Sequence, residues 1–199
     1  MIPMLNTAII LLAAGNSSRM GRPKQLLDYR GKTLVQHMAD IALGTAASLV
    51  VVVTGSSSDE VIASLEGRNV IVAFNSQWEE GMASGIVMGL QKALADSPSI
   101  ENVILAVCDQ PFVTSDFLSK LLFLKNKSKK TVVSSGYVNT IGTPVLFDKK
   151  HFTALLGLKG REGAKKLLKL LKDDMFTLPL ENGEVDIDTE ADYIKLIND

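Results

Sequence analysis

The stretch Thr7-Ala8-Ile9-Ile10-Leu11-Leu12 runs straight into Ala13-Ala14-Gly15-Asn16-Ser17-Ser18-Arg19-Met20-Gly21-Arg22-Pro23-Lys24. Its first half is dense in Ile and Leu with no polar alternation, the pattern of a strand buried on both faces of a parallel sheet. The second half is built of small residues and cations. Small residues leaving a strand let the backbone come close to a ligand, and their amides form an anion-binding nest. Arg19 can fork onto phosphate oxygens, and Lys24 adds a compact positive charge. Open α/β sheets bind ligands at the carboxyl ends of their strands, which is where this loop falls. On these residues a phosphate-binding loop is favoured over a purely structural turn.

Generic nucleotide motifs do not account for the loop. It holds no G-x-G-x-x-G, and Gly31-Lys32-Thr33 imitates the end of a P-loop with Leu26 where the first glycine is required.

Outward from this stretch, short apolar runs alternate with amphipathic ones, as in a parallel sheet covered by helices. Strands are expected at Leu49–Thr54, Val70–Phe74 and Val103–Val107, and helices at Lys32–Leu43, Asp59–Leu65, Met82–Leu94 and Ser115–Leu124. Leu34, Met38 and Ile41 show the helical spacing that supports the first of these helices. Thr131–Ser134 and Pro144–Phe147 read as strands joined by a loop over Gly136–Thr143. Glu162–Leu171 reads as a helix with a basic face, and Val185–Ile187 as a short strand. Thr189–Ile197 reads as a closing helix, with Thr189 and Asp192 spaced as a variant capping box. The fold class expected is therefore α/β, a Rossmann-like three-layer fold with a mostly parallel sheet. No repeat or linker interrupts the pattern, so one domain over residues 1–199 is expected.

A formal net charge of −1 gives no global field for nucleic acid or an anionic membrane, so phosphate chemistry must rest on local cations. The apolar run Ala8–Ala14 is too short to span a bilayer, and Met1–Gly15 has no cation before Arg19, unlike a signal peptide. Cys108 is the only cysteine, which excludes an internal disulfide and fits a reducing compartment; a cytoplasmic location is expected. Lys125–Lys130 is read as a solvated helix end. His37 and His151 are read as structural, and Cys108 as an inert buried thiol facing away from Asp109. Trp78 either shapes a substrate site or anchors its own loop.

The segment Leu12-Ala13-Ala14-Gly15 through Ser17, Arg19-Met20-Gly21 and Lys24 resembles the L-A-[AG]-G-x-S-x-R-M-G-x-x-K pattern of the nucleotidyltransferases that attach a nucleotide to molybdopterin. These lie within the wider superfamily of sugar-phosphate nucleotidyltransferases. The resemblance extends over essentially the whole chain. It includes Asn75, Trp78 and Gly81-Met82-Ala83-Ser84, then Val107-Cys108-Asp109-Gln110-Pro111, Gly142–Phe147 and Asp186-Ile187-Asp188-Thr189. Ala14, Arg22-Pro23-Lys24 and Asp109-Gln110-Pro111 each resemble the molybdenum cofactor cytidylyltransferase branch more than the guanylyltransferase branch. Two departures bear on the acceptor: Gly160-Arg161-Glu162-Gly163-Ala164-Lys165 stands where that branch reads G-D-x-G-A-R, and Gly85 stands where serine is common.

The resemblance implies transfer of CMP from CTP to a molybdopterin-type acceptor with release of pyrophosphate. Leu12, Ala13, Ala14, Gly15, Arg19, Lys24, Gly81 and Ser84 would bind the nucleotide, with Arg19, Lys24 and Asp109 as the catalytic set. Asp109, joined by Asp186 or Asp188, would hold Mg²⁺, or Mn²⁺ in its place, since hard cations take carboxylate and phosphate oxygens. Asp109 is five residues from the expected helix start at Thr114, a poor capping distance, whereas Asp188 can equally cap the last helix. Alternatives are GMP transfer from GTP, transfer to a sugar or polyol phosphate, or a carrier or chaperone that binds molybdopterin and delivers it to an apoenzyme; a molybdoenzyme apoprotein or a chaperone is the protein partner implied. A nicotinamide-dependent redox enzyme is disfavoured by the missing dinucleotide fingerprint.

Overall fold

The computed structural model describes residues 6–138, 140–161 and 163–198. In chain order its strands are β1 (Thr7–Leu12), β2 (Asp28–Tyr29), β3 (Lys32–Thr33), β4 (Leu49–Thr54), β5 (Ile71–Phe74), β6 (Asn102–Val107), β7 (Val132–Tyr137), β8 (Thr140–Asp148) and β9 (Met175–Pro179). The helices are α1 (Leu34–Leu43), α2 (Ser58–Ser64), α3 (Met82–Asp96), α4 (Ser115–Ser128), α5 (Phe152–Leu156), α6 (Lys165–Leu170) and α7 (Glu190–Asn198). A seven-stranded sheet in the order β5-β4-β1-β6-β8-β7-β9 forms the middle layer, and β8 alone runs against the rest. The Rossmann-like α/β class read from the sequence is the observed one.

Burial on both faces explains the unbroken apolar strands. In β1, Ile9 and Leu11 pack with Val35 and Met38 of α1 and with Leu118 and Leu121 of α4. Ala8 and Ile10 pack on the opposite face with Ile86 and Leu90 of α3. Helix α3 presses especially close. A Cβ on Gly89 would lie 2.4 Å from Ile10 Cγ2, so only a residue without a side chain fits this contact. Among the described residues, no helix is long and apolar enough to cross a membrane.

The helix caps follow local rules. Thr33 and Gln36 form a reciprocal capping box at α1, and the Thr114 hydroxyl accepts from Phe117 N at α4. At α7, Asp192 Oδ2 accepts from Thr189 N at 2.8 Å while Asp192 N donates to Thr189 Oγ1 at 3.3 Å, the exchange its spacing implied.

Several expectations are corrected. Lys32 and Thr33 belong to a two-strand ribbon with β2, so α1 starts at Leu34. Most of the segment 136–143, read as a loop, is strand: β7 and β8 continue past a bulge at Ser134–Ser135 to pair Tyr137 with Thr140. Asn139 of that loop lies outside the described residues. Val185–Ile187 forms no strand, because no neighbouring strand is placed to accept its ladder. The helix read over Glu162–Leu171 is observed as Lys165–Leu170; Glu162 and residues 1–5 lie outside the described residues. Strand β9 and helix α5 had no expectation.

Candidate active site

The loop after β1 turns back on itself at once. Ser17 adopts a left-handed conformation, its carbonyl accepts from Met20 N and Gly21 N, and its hydroxyl accepts from Lys24 N at 2.9 Å. Beneath the loop lies Gln25, a polar side chain with only 1% exposure. Its Nε2 donates to the carbonyls of Ala13 at 2.9 Å and Gly15 at 2.6 Å. Alongside, Gly55 follows β4, and a Cβ there would sit 2.5 Å from Ala14 O and 2.9 Å from both Ala14 Cβ and Trp78 Cβ. The loop, the end of β4 and the Trp78 segment thus meet at van der Waals distance.

A cleft of about 670 Å³ opens beside this loop. Leu12, Ala14, Gly15 and Lys24 line one side, Trp78, Gly81 and Met82 another, with Asp109 at the end of β6 and Arg161 completing the wall. The Trp78–Ser84 segment is stiffened from within: buried Asn75 donates from Nδ2 to Ser84 Oγ at 2.8 Å, and that hydroxyl lies 2.8 Å from the carbonyls of Gln77 and Gly81. Ser84 is therefore engaged in shaping its own loop. Ala13 likewise turns its methyl into the core, and its contribution to the loop is its carbonyl.

The charged residues meet at one end of the cleft. The Lys24 ammonium donates to Asp109 Oδ2, 85 positions away in sequence, and to Asp188 Oδ1 at 3.2 Å. Arg19 bonds the other Asp188 oxygen at 2.7 Å. The side chains of Lys24 and Asp109 are each only 16% exposed, whereas Arg19 is 70% exposed. Burial works to lower the Lys24 pKa, but the Asp109 and Asp188 carboxylates overcome it and hold the ammonium well above its ordinary range. The C-terminal segment is brought here by Ile187, which is fully buried against Leu27, Tyr29 and Leu34 and donates its N–H to Asp109 O at 3.1 Å. Asp186 and Asp188 flank Ile187 in the chain, and Asp188 turns its carboxylate to Lys24 and Arg19. Protein crowding around its carboxyl, then the nearby Asp109 and Asp188 charges, push the Asp186 pKa up to about 6.

Among the described residues, no three His, Cys, Asp or Glu side chains converge to hold a metal ion. The trio Asp109, Asp186 and Asp188 is not gathered into a ready-made cage; two of its members close on the Lys24 ammonium instead. Gln110 is buried behind Asp109, donating to Gly183 O at 2.9 Å and accepting from Thr143 Oγ1 at 3.1 Å. It ties β8 and the C-terminal turn to the end of β6. Sequence reasoning gives Gln25, Gln110 and Gly55 no such roles; Gln25 stands between Lys24 and Leu26 with no local signal of its burial.

His37 and His151 sit apart from the cleft, whereas Cys108, read as facing away from Asp109, borders it beside that residue. His37 Nε2 lies 3.0 Å from Pro111 O, and His151 Nε2 lies 2.8 Å from Thr131 Oγ1. Cys108 is buried in the core face opposite α3, and burial pushes its thiol up to about 12. Lys125 pairs with Asp148, and Lys127 lies over the Phe123 ring, as side chains along the end of α4.

Residues 9–175 match the family described as the MobA-like NTP transferase domain, and the chain belongs to that family of nucleotidyltransferases. It is 29% identical over 198 residues to the purine catabolism protein PucB of Bacillus subtilis (strain 168), covering 92% of each chain. It is 28% identical over 188 residues to the molybdenum cofactor cytidylyltransferase of Escherichia coli (strain K12), covering 93% of this chain and 92% of that one. The nicotine blue oxidoreductase of Paenarthrobacter nicotinovorans is 32% identical over 145 residues, covering 71% of this chain and 67% of that one. Among solved structures, the manganese complex of Rv0371c from Mycobacterium tuberculosis H37Rv superposes with a TM-score of 0.75 at 25% identity, covering 97% of this chain and 98% of that one.

Proposed function

We propose that this member of the MobA-like NTP transferase family moves CMP from CTP to a molybdopterin-type acceptor, releasing pyrophosphate, and does so as one domain over residues 1–199. The observation that carries the reading is the Lys24 ammonium lodged between Asp109 and Asp188 at the end of a cleft walled by the β1 loop. Nucleotidyl transfer asks the protein to position two anions and relieve their repulsion, with little covalent chemistry of its own. An acceptor phosphate oxygen bonds to the α-phosphorus as the bond to pyrophosphate breaks.

Arg19 and Lys24 would hold the triphosphate, each exchanging a carboxylate partner for phosphate oxygens. The donor set fits a hard divalent cation: Asp109 and Asp188 both carry oxygens turned toward one positive charge. Two protein carboxylates completed by substrate phosphates are an ordinary Mg²⁺ arrangement, so a closed protein cage is not required. Bound there, Mg²⁺ or Mn²⁺ would neutralise charge developing on the phosphates. The manganese in the Rv0371c complex supports a divalent ion in this fold.

The choice of CTP rests on Ala14, whose position on the cleft wall puts a methyl where the guanylyl branch has glycine. The cytidylyltransferase relative supports the same choice. The oxidoreductase relative raises a redox reading, which the β1 loop disfavours because it lacks the dinucleotide fingerprint. Turnover of the purified protein with each nucleoside triphosphate, against molybdopterin and sugar or polyol phosphates, tests the assignment. Pyrophosphate release with CTP and molybdopterin is expected. Release with GTP in preference, or with none of them, overturns it.

A further inference from the structure

We propose that Gln25 is a positioning residue for the triphosphate: its buried amide holds the β1 loop so that the Ala14 and Asn16 N–H groups are presented to phosphate oxygens. The inference rests on the nucleotide-binding reading above and extends it to a residue buried beneath the loop. One Gln25 Nε2 donates to two loop carbonyls two residues apart, Ala13 at 2.9 Å and Gly15 at 2.6 Å. Ser56 Oγ supplements the second at 3.4 Å.

A trans peptide is planar, with its C=O and the N–H of the next residue pointing in opposite directions. Fixing the Ala13 carbonyl on Gln25 therefore turns the Ala14 N–H away from Gln25, and fixing the Gly15 carbonyl does the same for Asn16. The Ala13 N–H is consumed by Val53 O at 2.9 Å. By contrast, none of the hydrogen bonds among the described residues uses the N–H of Ala14, Gly15, Asn16 or Ser17. Ala14, Gly15 and Asn16 line the cleft, so unpaired donors border it. Such donors suit an anion, and Lys24, next to Gln25 in sequence, brings the positive charge to the same place.

Burying an amide at 1% exposure is costly unless its hydrogen bonds are made, and here both donors go to backbone that an apolar side chain could not hold. Gln25→Leu keeps the bulk and loses the clamp. Gln25→Glu is nearly isosteric and, in the anionic form, faces two carbonyl oxygens with no donor; its protonated form regains one.

The test measures affinity for a non-hydrolysable CTP analogue without metal, beside thermal melts. Gln25→Leu is expected to bind about tenfold or more weakly than the parent, the scale of lost hydrogen bonds to a charged ligand. The deficit of Gln25→Glu relative to the parent should narrow on acidification as its carboxyl regains a proton, a response that lost packing alone would not give. In the parent, amide hydrogen exchange at Ala14 and Asn16 should slow when the analogue binds, a readout that stands even if neither variant folds. Parent-like affinity in a folded Gln25→Leu, a Gln25→Glu deficit indifferent to pH, or unprotected Ala14 and Asn16 amides in the saturated parent would each overturn the proposal. A parent that binds no nucleoside triphosphate overturns the reading beneath it.

Discussion

The backbone N–H of Ile187 donates to the carbonyl of Asp109 at 3.1 Å, joining the C-terminal segment to the end of the central strand β6. With Ile187 sealed in the core, the next residue, Asp188, reaches the Lys24 ammonium that Asp109 already holds.

Lys24 and Arg19 should differ sharply when truncated. Arg19 is largely exposed, so Arg19→Ala should weaken triphosphate binding and change the melting temperature little. Lys24→Ala removes the shared partner of two carboxylates, one of them mostly buried, and should cost about 1–3 kcal/mol at neutral pH. Adding Mg²⁺ or lowering the pH should restore more stability to Lys24→Ala than to the parent; equal responses in melts of the two proteins would count against the shared-partner account.

Asp109→Asn should abolish metal-dependent turnover while leaving metal-free nucleotide affinity less changed. The amide keeps the shape and loses the charge that a hard cation needs. Pyrophosphate release and nucleotide titration, each with and without Mg²⁺, separate the two effects. Turnover near that of the parent would remove Asp109 from the metal site.

Ala14→Gly should relax discrimination between CTP and GTP by about 1–3 kcal/mol, the effect of one methyl in a pocket wall. The check is kcat/KM for both triphosphates with one acceptor. Gly55→Ala is the converse: its new methyl would meet Ala14 and Trp78 inside contact distance and should impair binding of both nucleotides. An unchanged CTP preference in Ala14→Gly would leave the reaction but not this cause of its selectivity.

Away from the site, Asp174 should govern part of the acid stability. It accepts from Lys150 Nζ at 2.6 Å and from Thr131 Oγ1 at 2.5 Å, and these bonds hold its pKa down to about 2. A carboxylate depressed in the folded state stabilises above its ordinary value of 3.8 and loses that contribution as the pH falls toward 2. Asp174→Asn should be less stable than the parent at pH 6, and urea melts should show the gap closing between pH 4 and pH 2. A gap constant with pH would refute the electrostatic account.

Periodicity and local chemistry are legible along the chain without any knowledge of its packing. β1 and β4 are continuous apolar runs because they are buried on both faces, and their observed bounds equal those expected. The Thr189–Asp192 cap is a matter of neighbours four positions apart or fewer. The loop Leu12–Lys24 could be placed at a strand's carboxyl end because strand and loop are contiguous.

Tertiary structure decided everything that depends on a distant partner. Val185–Ile187 has β-branched residues at both ends, yet a strand needs a ladder, and what this segment finds is a core pocket and one carbonyl of Asp109. Residues 136–143 carry glycine and turn chemistry, yet β7 and β8 pair through them because each supplies the other's backbone hydrogen bonds. Nothing local to Gln25 distinguishes a surface amide from one buried beneath a loop. Only the closure of Gly15 over it, and of Asp109 and Asp188 around Lys24, gives those residues partners, since burial and hydrogen bonding between remote positions are set by the packed chain and not by spacing along it.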